Sequence, residues 1–303
     1  MQRARGIVDR AVLRLERARA DYPVVDVAVG TFRRYSDDDG GFSAAALTYY
    51  TFFSLFPIII FGASLLGYLT FINPNLQERL LEEGVEAVPL INDLLDPDAL
   101  ERLQQTSGQL AIVGAVMALY AGSGAIVALQ HALNRVHGFE PEPGFLPKRI
   151  KSLKWLATLA LAGLVSVALG ALASSAGGIF GDDALAGWLV AALVRAAGAL
   201  LNIGAFALAF MMLPAQPRGL KEVLPGAIAG GIGFELLKVV GGWYLASGAS
   251  SRRATFGSFA AAAGLLVASY LLAQLTLLAA ELNAVLAERR RTRQSSVNAE
   301  EES

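Results

Sequence analysis

The residues in this sequence with chemistry to offer are two charged stripes inside apolar stretches. Within 223–246, Gly231, Glu235, Lys238 and Gly242 recur at i, i+4, i+7 and i+11, which places them on one face of a helix. Within 186–213, Arg195, Gly198 and Asn202 form a second such face. An isolated charge at the centre of a bilayer costs at least about 2.5–3.5 kcal/mol, so such groups are paired or face water. At about 1.5 Å per residue, Arg195 and Glu235 reach similar depth on antiparallel helices, near the midplane. The spacing therefore predicts either a buried pair that fixes helix register or the charged wall of a polar cavity. Lys238 has a second claim on Glu235 within its own helix, which would leave Arg195 to meet an anionic group such as a phosphate.

Hydrolytic chemistry finds less material. Metal-dependent RNA hydrolysis needs clustered His and carboxylate ligands. The chain has two histidines, His131 and His137, six apart and beside no suitable carboxylate pair. It has no cysteine, and the G-x-S-x-G, H-E-x-x-H and Walker A patterns are absent. GAIAGGIG at 226–233 lies inside an apolar helix and follows no strand, so it predicts close helix packing, not a phosphate cradle. The expectation is a protein that is not an enzyme, with no catalytic residue, metal, cofactor or nucleic-acid partner. The run Arg289-Arg290-Arg291 reads as an anchor for lipid headgroups.

Other polar residues recur on single helical faces. Tyr50, Ser54, Pro57, Phe61 and Tyr68 share one in the first apolar stretch; Tyr120, Ser123, Gln130, Asn134 and His137 share another. Tyr270, Gln274 and Glu281 mark a third, with Glu281 expected in solvent near the headgroups and Asn283 reading equally as a helix-to-helix hydrogen bond. The substrate-pathway candidates are Tyr50, Ser54, Pro57, Gln130, Asn134, Arg195, Asn202, Glu235, Lys238, Tyr270, Gln274 and Glu281.

The elements that must position these groups are long and apolar. The chain is 54% hydrophobic over 303 residues, above the usual range for a soluble domain. Six spans are expected, at about 42–72, 109–133, 153–177, 186–213, 223–246 and 258–287. Pro57 removes a backbone donor within the first and predicts a kink whose freed carbonyl must be covered by protein or water. Gly114, Ala118 and Gly122 form a small-residue ladder in the second. Residues 1–41 read as a cytoplasmic interfacial segment. It holds an amphipathic helix at 5–20, a second starting at Pro23, and a break with capping acids at Asp37-Asp38-Asp39-Gly40-Gly41. Residues 73–108 read as a small helical outer cap able to recruit envelope partners. Residues 288–303 read as a basic tail that is disordered from Ser295. With both termini inside, the cytoplasmic segments hold 19 of the 25 Lys and Arg residues, the asymmetry of a positive-inside protein. The fold class is all-α, a six-helix membrane bundle.

AAALTYYTFFSLFP at 44–57, LPGA at 224–227, GWYL at 242–245 and the segment 255–286 together resemble the YihY/BrkB family of inner-membrane proteins, over roughly 25–290. The resemblance implies six spans, both termini in the cytoplasm, and an activity variously described as ribonuclease BN, virulence factor or transporter of lipids and other envelope compounds. Phe256-Gly257-Ser258 stands where the family usually has Tyr-Gly-Ser, and Ser269-Tyr270 replaces a more aromatic segment. Residues and resemblance together point to a multi-pass protein of the cytoplasmic membrane that contacts membrane lipids. Transport of a lipid or amphipathic compound is the first reading, a non-transporting scaffold the second.

Overall fold

The computed structural model describes residues 16, 19, 21–70, 107–139, 144, 147–158, 184–246 and 259–301. Among these there are seven helices and no strand: α1 Pro23–Asp37, α2 Gly40–Thr70, α3 Ser107–Val136, α4 at 147–158, α5 Ala184–Met212, α6 Leu220–Ala246 and α7 Phe259–Glu301. Five of them fall on expected spans. Most of the third span, the outer cap and the 5–20 helix lie outside the described residues.

Helix α1 begins where proline is tolerated, with Pro23 in its first turn after an extended Tyr22. It ends in a two-residue turn at Asp38 and Asp39, inside the expected break. Asp39 takes a left-handed conformation (φ 53°), which aspartate tolerates better than most side chains. Gly40 follows because a Cβ there would run into the ring and carbonyl of Tyr35. Its successor helix α2 carries Pro57 internally, and Ser54 and Pro57 are both buried against the bundle. The proline-bearing face is thus covered by protein, as its chemistry requires.

Helix α7 is the hub, packing on α1, α2, α3 and α6, while α5 packs on α6 and α2 on α3. One core cluster joins Leu133 and Val136 of α3, Trp155 of α4, Phe210 of α5, Val223 of α6 and Ala280 of α7. A second joins Tyr35 of α1, Leu47 of α2, Ala132 of α3 and Leu277 of α7. Gly114, Ala118 and Gly122 are buried, and Gly122 sits under Leu156 of α4.

The glycines of 226–233 work as helix contacts. A Cβ on Gly226 would strike the Ala279 carbonyl and the Asn283 amide of α7, and one on Gly231 would strike Ile203 of α5. Gly230 lies 2.9 Å, by the same measure, from the ring of Phe206. This is packing on two neighbours at once. Pro225 lacks the N–H that would pair with the Lys221 carbonyl, and Arg290 Nη1 donates to that oxygen instead, at 3.1 Å.

Two expectations about the C-terminus change. Helix α7 runs on to Glu301 and does not give way to disorder at Ser295. The arginines at its polar end also bind protein: Arg289 Nη2 bonds Asp26 of α1, and Arg290 bonds α6. A helix already nucleated over many apolar turns propagates at little cost into a polar segment, which composition alone does not reveal.

Candidate functional site

A cavity lies where α2 begins and α3 ends, roofed by the start of α4. Its volume is about 580 Å³. Phe42, Tyr50 and Phe53 of α2 and Tyr120 of α3 form its walls and are all exposed, so it is a cleft at the bundle surface. Gly124 forms part of the floor, 3.2 Å from the Tyr50 ring when measured from an added Cβ. His131, Arg135, Lys148 and Arg149 bring basic groups to it. Arg149 is held over the Tyr120 ring at 4.6 Å, and Arg135 pairs with Asp39 at 3.5 Å. Arginine over an aromatic face keeps its charge while shedding part of its hydration. The arrangement combines apolar walls with a cationic end.

Outside that cleft a set of polar contacts from α3 and α7 gathers on Arg34. This α1 side chain donates from Nη1 to Glu288 at 2.9 Å and from Nη2 to the Val136 carbonyl at 3.2 Å, and its Nε stands 3.4 Å from Glu281. Glu281 is 1% exposed, so it is buried beside an arginine, not solvated at the headgroups as its position in the sequence suggests. Its ion pair joins residues 247 positions apart, which no local periodicity could reveal. At the outer side of α1, Asp26 pairs with Arg19 at 2.8 Å and with Arg289, and the Arg19 bond leads in holding its carboxyl below the usual range.

The expected pathway residues separate into groups. Tyr50 lines the cleft, whereas Ser54 turns back to donate to Thr51 O at 2.8 Å and Pro57 is buried. Gln130 and Asn134 are almost fully enclosed, and Asn134 Oδ1 accepts from the Ala215 N–H at 2.8 Å, fixing the loop after α5. Tyr270 and Gln274 stand against Tyr35 of α1. Asn283 Oδ1 accepts from the Gly226 N–H at 2.6 Å, the helix-to-helix bond its position allows.

The fourth group lies on α5 and α6. Glu235 Oε1 receives Lys238 Nζ at 2.8 Å and Asn202 Nδ2 at 2.6 Å. The within-helix claim of Lys238 is realised, and Asn202 closes the pair from the neighbouring stripe. The Arg195 side chain lies outside the described residues, as do those of Phe61 and Tyr68 and the whole of Phe256-Gly257-Ser258. Sequence reading missed Arg34, whose only local signal was a late-turn arginine on an amphipathic helix. It also missed Lys151, which caps the end of α5 by donating to Leu213 O at 2.9 Å and Pro214 O at 2.8 Å.

Among the described residues three helices are long and apolar enough to cross a membrane: Ile112–Val136, Leu220–Gly241 and Ala262–Ala299. The fold and its apolar surface define an all-helical membrane protein. The chain belongs to the Virulence factor BrkB family, whose model matches residues 31–303. It is 28% identical over 269 residues to YfkH of Bacillus subtilis (strain 168), named a ribonuclease-like protein, covering 86% of this chain and 94% of that one. It is 26% identical over 280 residues to the inner membrane protein YhjD of Escherichia coli (strain K12), covering 85% and 80%. An uncharacterized Dickeya dadantii protein is 29% identical over 274 residues, covering 82% and 79%. No solved structure matches the chain.

Proposed function

We propose that this protein moves a lipid or other amphipathic envelope compound along its helix bundle. The cleft between α2, α3 and α4 carries the reading. Its exposed aromatic walls suit acyl chains, and Arg135, Lys148 and Arg149 suit an anionic or zwitterionic headgroup. In the six-span topology with both termini in the cytoplasm, which the basic-residue asymmetry supports, this end of the bundle meets the inner leaflet. A reporter active only in the cytoplasm should give signal at either terminus and none when inserted near Asp93. The opposite pattern would overturn the topology. The transport test is reconstitution into liposomes with labelled phospholipids and several small solutes. Movement of the lipid alone, lost in Arg135→Gln with Arg149→Gln, is the expected result; absence of movement for every compound sinks the reading.

A scaffold is the second reading, because Asn134 and Asn283 spend their carbonyl oxygens on backbone amides, as structural glue would. Recovery of a crosslinked envelope partner through the outer cap, with no transport, would favour it. We infer that the chain is not a nuclease and needs no metal or nucleic acid. Its two histidines support this by standing apart, His131 on the cleft and His137 among arginines. RNA hydrolysis by the purified protein, abolished by substituting either histidine, would reverse that inference.

A further inference from the structure

A second cavity, of about 240 Å³, opens at the same end of the bundle but between α1, α3, α6 and α7. Three arginines reach it from three parts of the chain: Arg34 from α1, Arg218 from the loop before α6, and Arg291 from the polar end of α7. His137, one residue past α3, completes the ring of nitrogen groups. We infer that this cavity is a binding site for a phosphate-sized oxyanion, distinct from the aromatic cleft.

Several features make the place a built site. Asn283 lines it and is 4% exposed; its Oδ1 is used by Gly226, while its Nδ2 is buried with no hydrogen-bond partner among the described residues. Arg218 Nε is likewise buried and unpartnered among them. A buried donor left unmatched is costly, and an oxyanion supplies acceptors for several such donors at once. Arg218 is held in place by its backbone N–H to Met211 O at 3.1 Å and by the Phe139 ring at 5.3 Å. The first turn of α6 forms another wall through Glu222 and Val223, where a long helix presents its positive end.

The opposing charges are Glu222 and Glu288 at the cavity and the buried Glu281 behind Arg34, 3.4 Å from its Nε. Glu222 pairs with Arg218 at 3.4 Å and Glu288 with Arg34 at 2.9 Å, and both carboxylates are substantially exposed. Ion pairs with an exposed carboxylate are weak, so either of these two can yield its arginine to a ligand oxygen. His137 is pushed down to about 4 by burial, with the Arg218 and Arg34 charges adding to it. It therefore enters the site neutral, able to donate one N–H without adding charge.

The test uses the full-length protein in phosphatidylcholine nanodiscs, titrated with inorganic phosphate while the ring signals of its two histidines are followed. Bound oxyanion neutralises the charges around His137, so its titration should move to higher pH saturably, with the signal assigned by its loss in His137→Gln. Arg291→Gln, at an exposed position, should weaken binding roughly tenfold without loss of fold. Nanodiscs with phosphatidic acid in place of added phosphate form the second arm. A shift there alone identifies a lipid headgroup as the source of the oxyanion, and a shift with inorganic phosphate alone identifies the free ion. The inference is overturned if neither arm shifts His137, if chloride at matched ionic strength gives the same shift, or if Arg291→Gln binds like the parent. Lipid movement in liposomes is a separate readout at a separate cavity, so the failure of either does not decide the other.

Discussion

Gly226→Ala is the substitution that most directly tests how the helices meet. The added Cβ would collide with the Ala279 carbonyl, which is backbone, and with the Asn283 side-chain amide, which its bond from the Gly226 N–H holds in place. Overpacking of this kind costs about 1–3 kcal/mol. If α7 moves off, the 2.6 Å bond from Gly226 N–H to Asn283 Oδ1 is also lost, and a buried acceptor left unsatisfied costs a further ~1–3 kcal/mol. The better helix propensity of alanine returns about 1 kcal/mol, leaving a net loss of about 1–5 kcal/mol. Gly204→Ala is the control, because nothing lies within 4 Å of a Cβ at that position. It should be neutral or slightly stabilising. Thermal unfolding of the detergent-purified protein, followed by loss of its monodisperse elution peak, compares the two. Asn283→Ala should cost less in the Gly226→Ala background than in the parent, since the shared bond is already gone. Equal effects at Gly226 and Gly204 would refute the packing account of the glycine-rich segment.

Asn202→Leu should lower stability by about 1.5–3 kcal/mol, because it removes one of two donors from Glu235 Oε1; a Lys238–Glu235 double-mutant cycle should give coupling that survives the change. The depressed His137 makes stability depend on pH in a defined sense. The unfolded chain takes up that proton below about 6.5 and the folded chain only near 4, so stability is full above that window and falls as pH drops through it. Unfolding at pH 7 and pH 5 should show the loss, and His137→Gln should flatten it. Phe210→Ala should cost about 3–5 kcal/mol, since the ring is 1% exposed in the main core cluster, as measured by denaturant midpoint. Truncation after Thr292 should leave the melting temperature unchanged, whereas truncation after Glu288 should lower it by removing the Arg289 and Arg290 contacts.

What could be read from the sequence was what is local in it. Continuous apolar runs located the starts of α2, α3, α5, α6 and α7 to within a few residues, because such a run is read directly from the sequence. Gly226 to Gly233 could be assigned to packing for the same reason, since small residues in an apolar helix have few other uses. The i, i+3 spacing of Glu235 and Lys238 announced their pair, but the depth argument set Arg195 opposite Glu235, whereas Asn202, seven residues further along α5, is the residue that bonds it. The Arg34 cluster was illegible. Its partners Glu281, Glu288 and the Val136 carbonyl belong to two other helices, and their meeting depends on how α7 packs, which no single segment encodes. The aromatic cleft was not visible as a unit: Tyr50 and Tyr120 line it, but Ser54, Pro57, Gln130 and Asn134, grouped with them by spacing, are buried and do not, and its basic residues come from the end of α3 and the start of α4. The helical tail was misread because composition ignores the helix that feeds into it.

Arg34 also orders events in time. Its partner Glu288 leaves the ribosome 254 residues later. At roughly 5–20 residues per second, synthesis keeps the arginine waiting on the order of tens of seconds for that partner. Asp26 waits longer still for Arg289. Helix α1 can therefore take its final place only after α7 has been made and inserted. Its docking acts as the last latch of assembly, and a chain cut short before α7 would present the unlatched helix to the quality-control proteases of the cell.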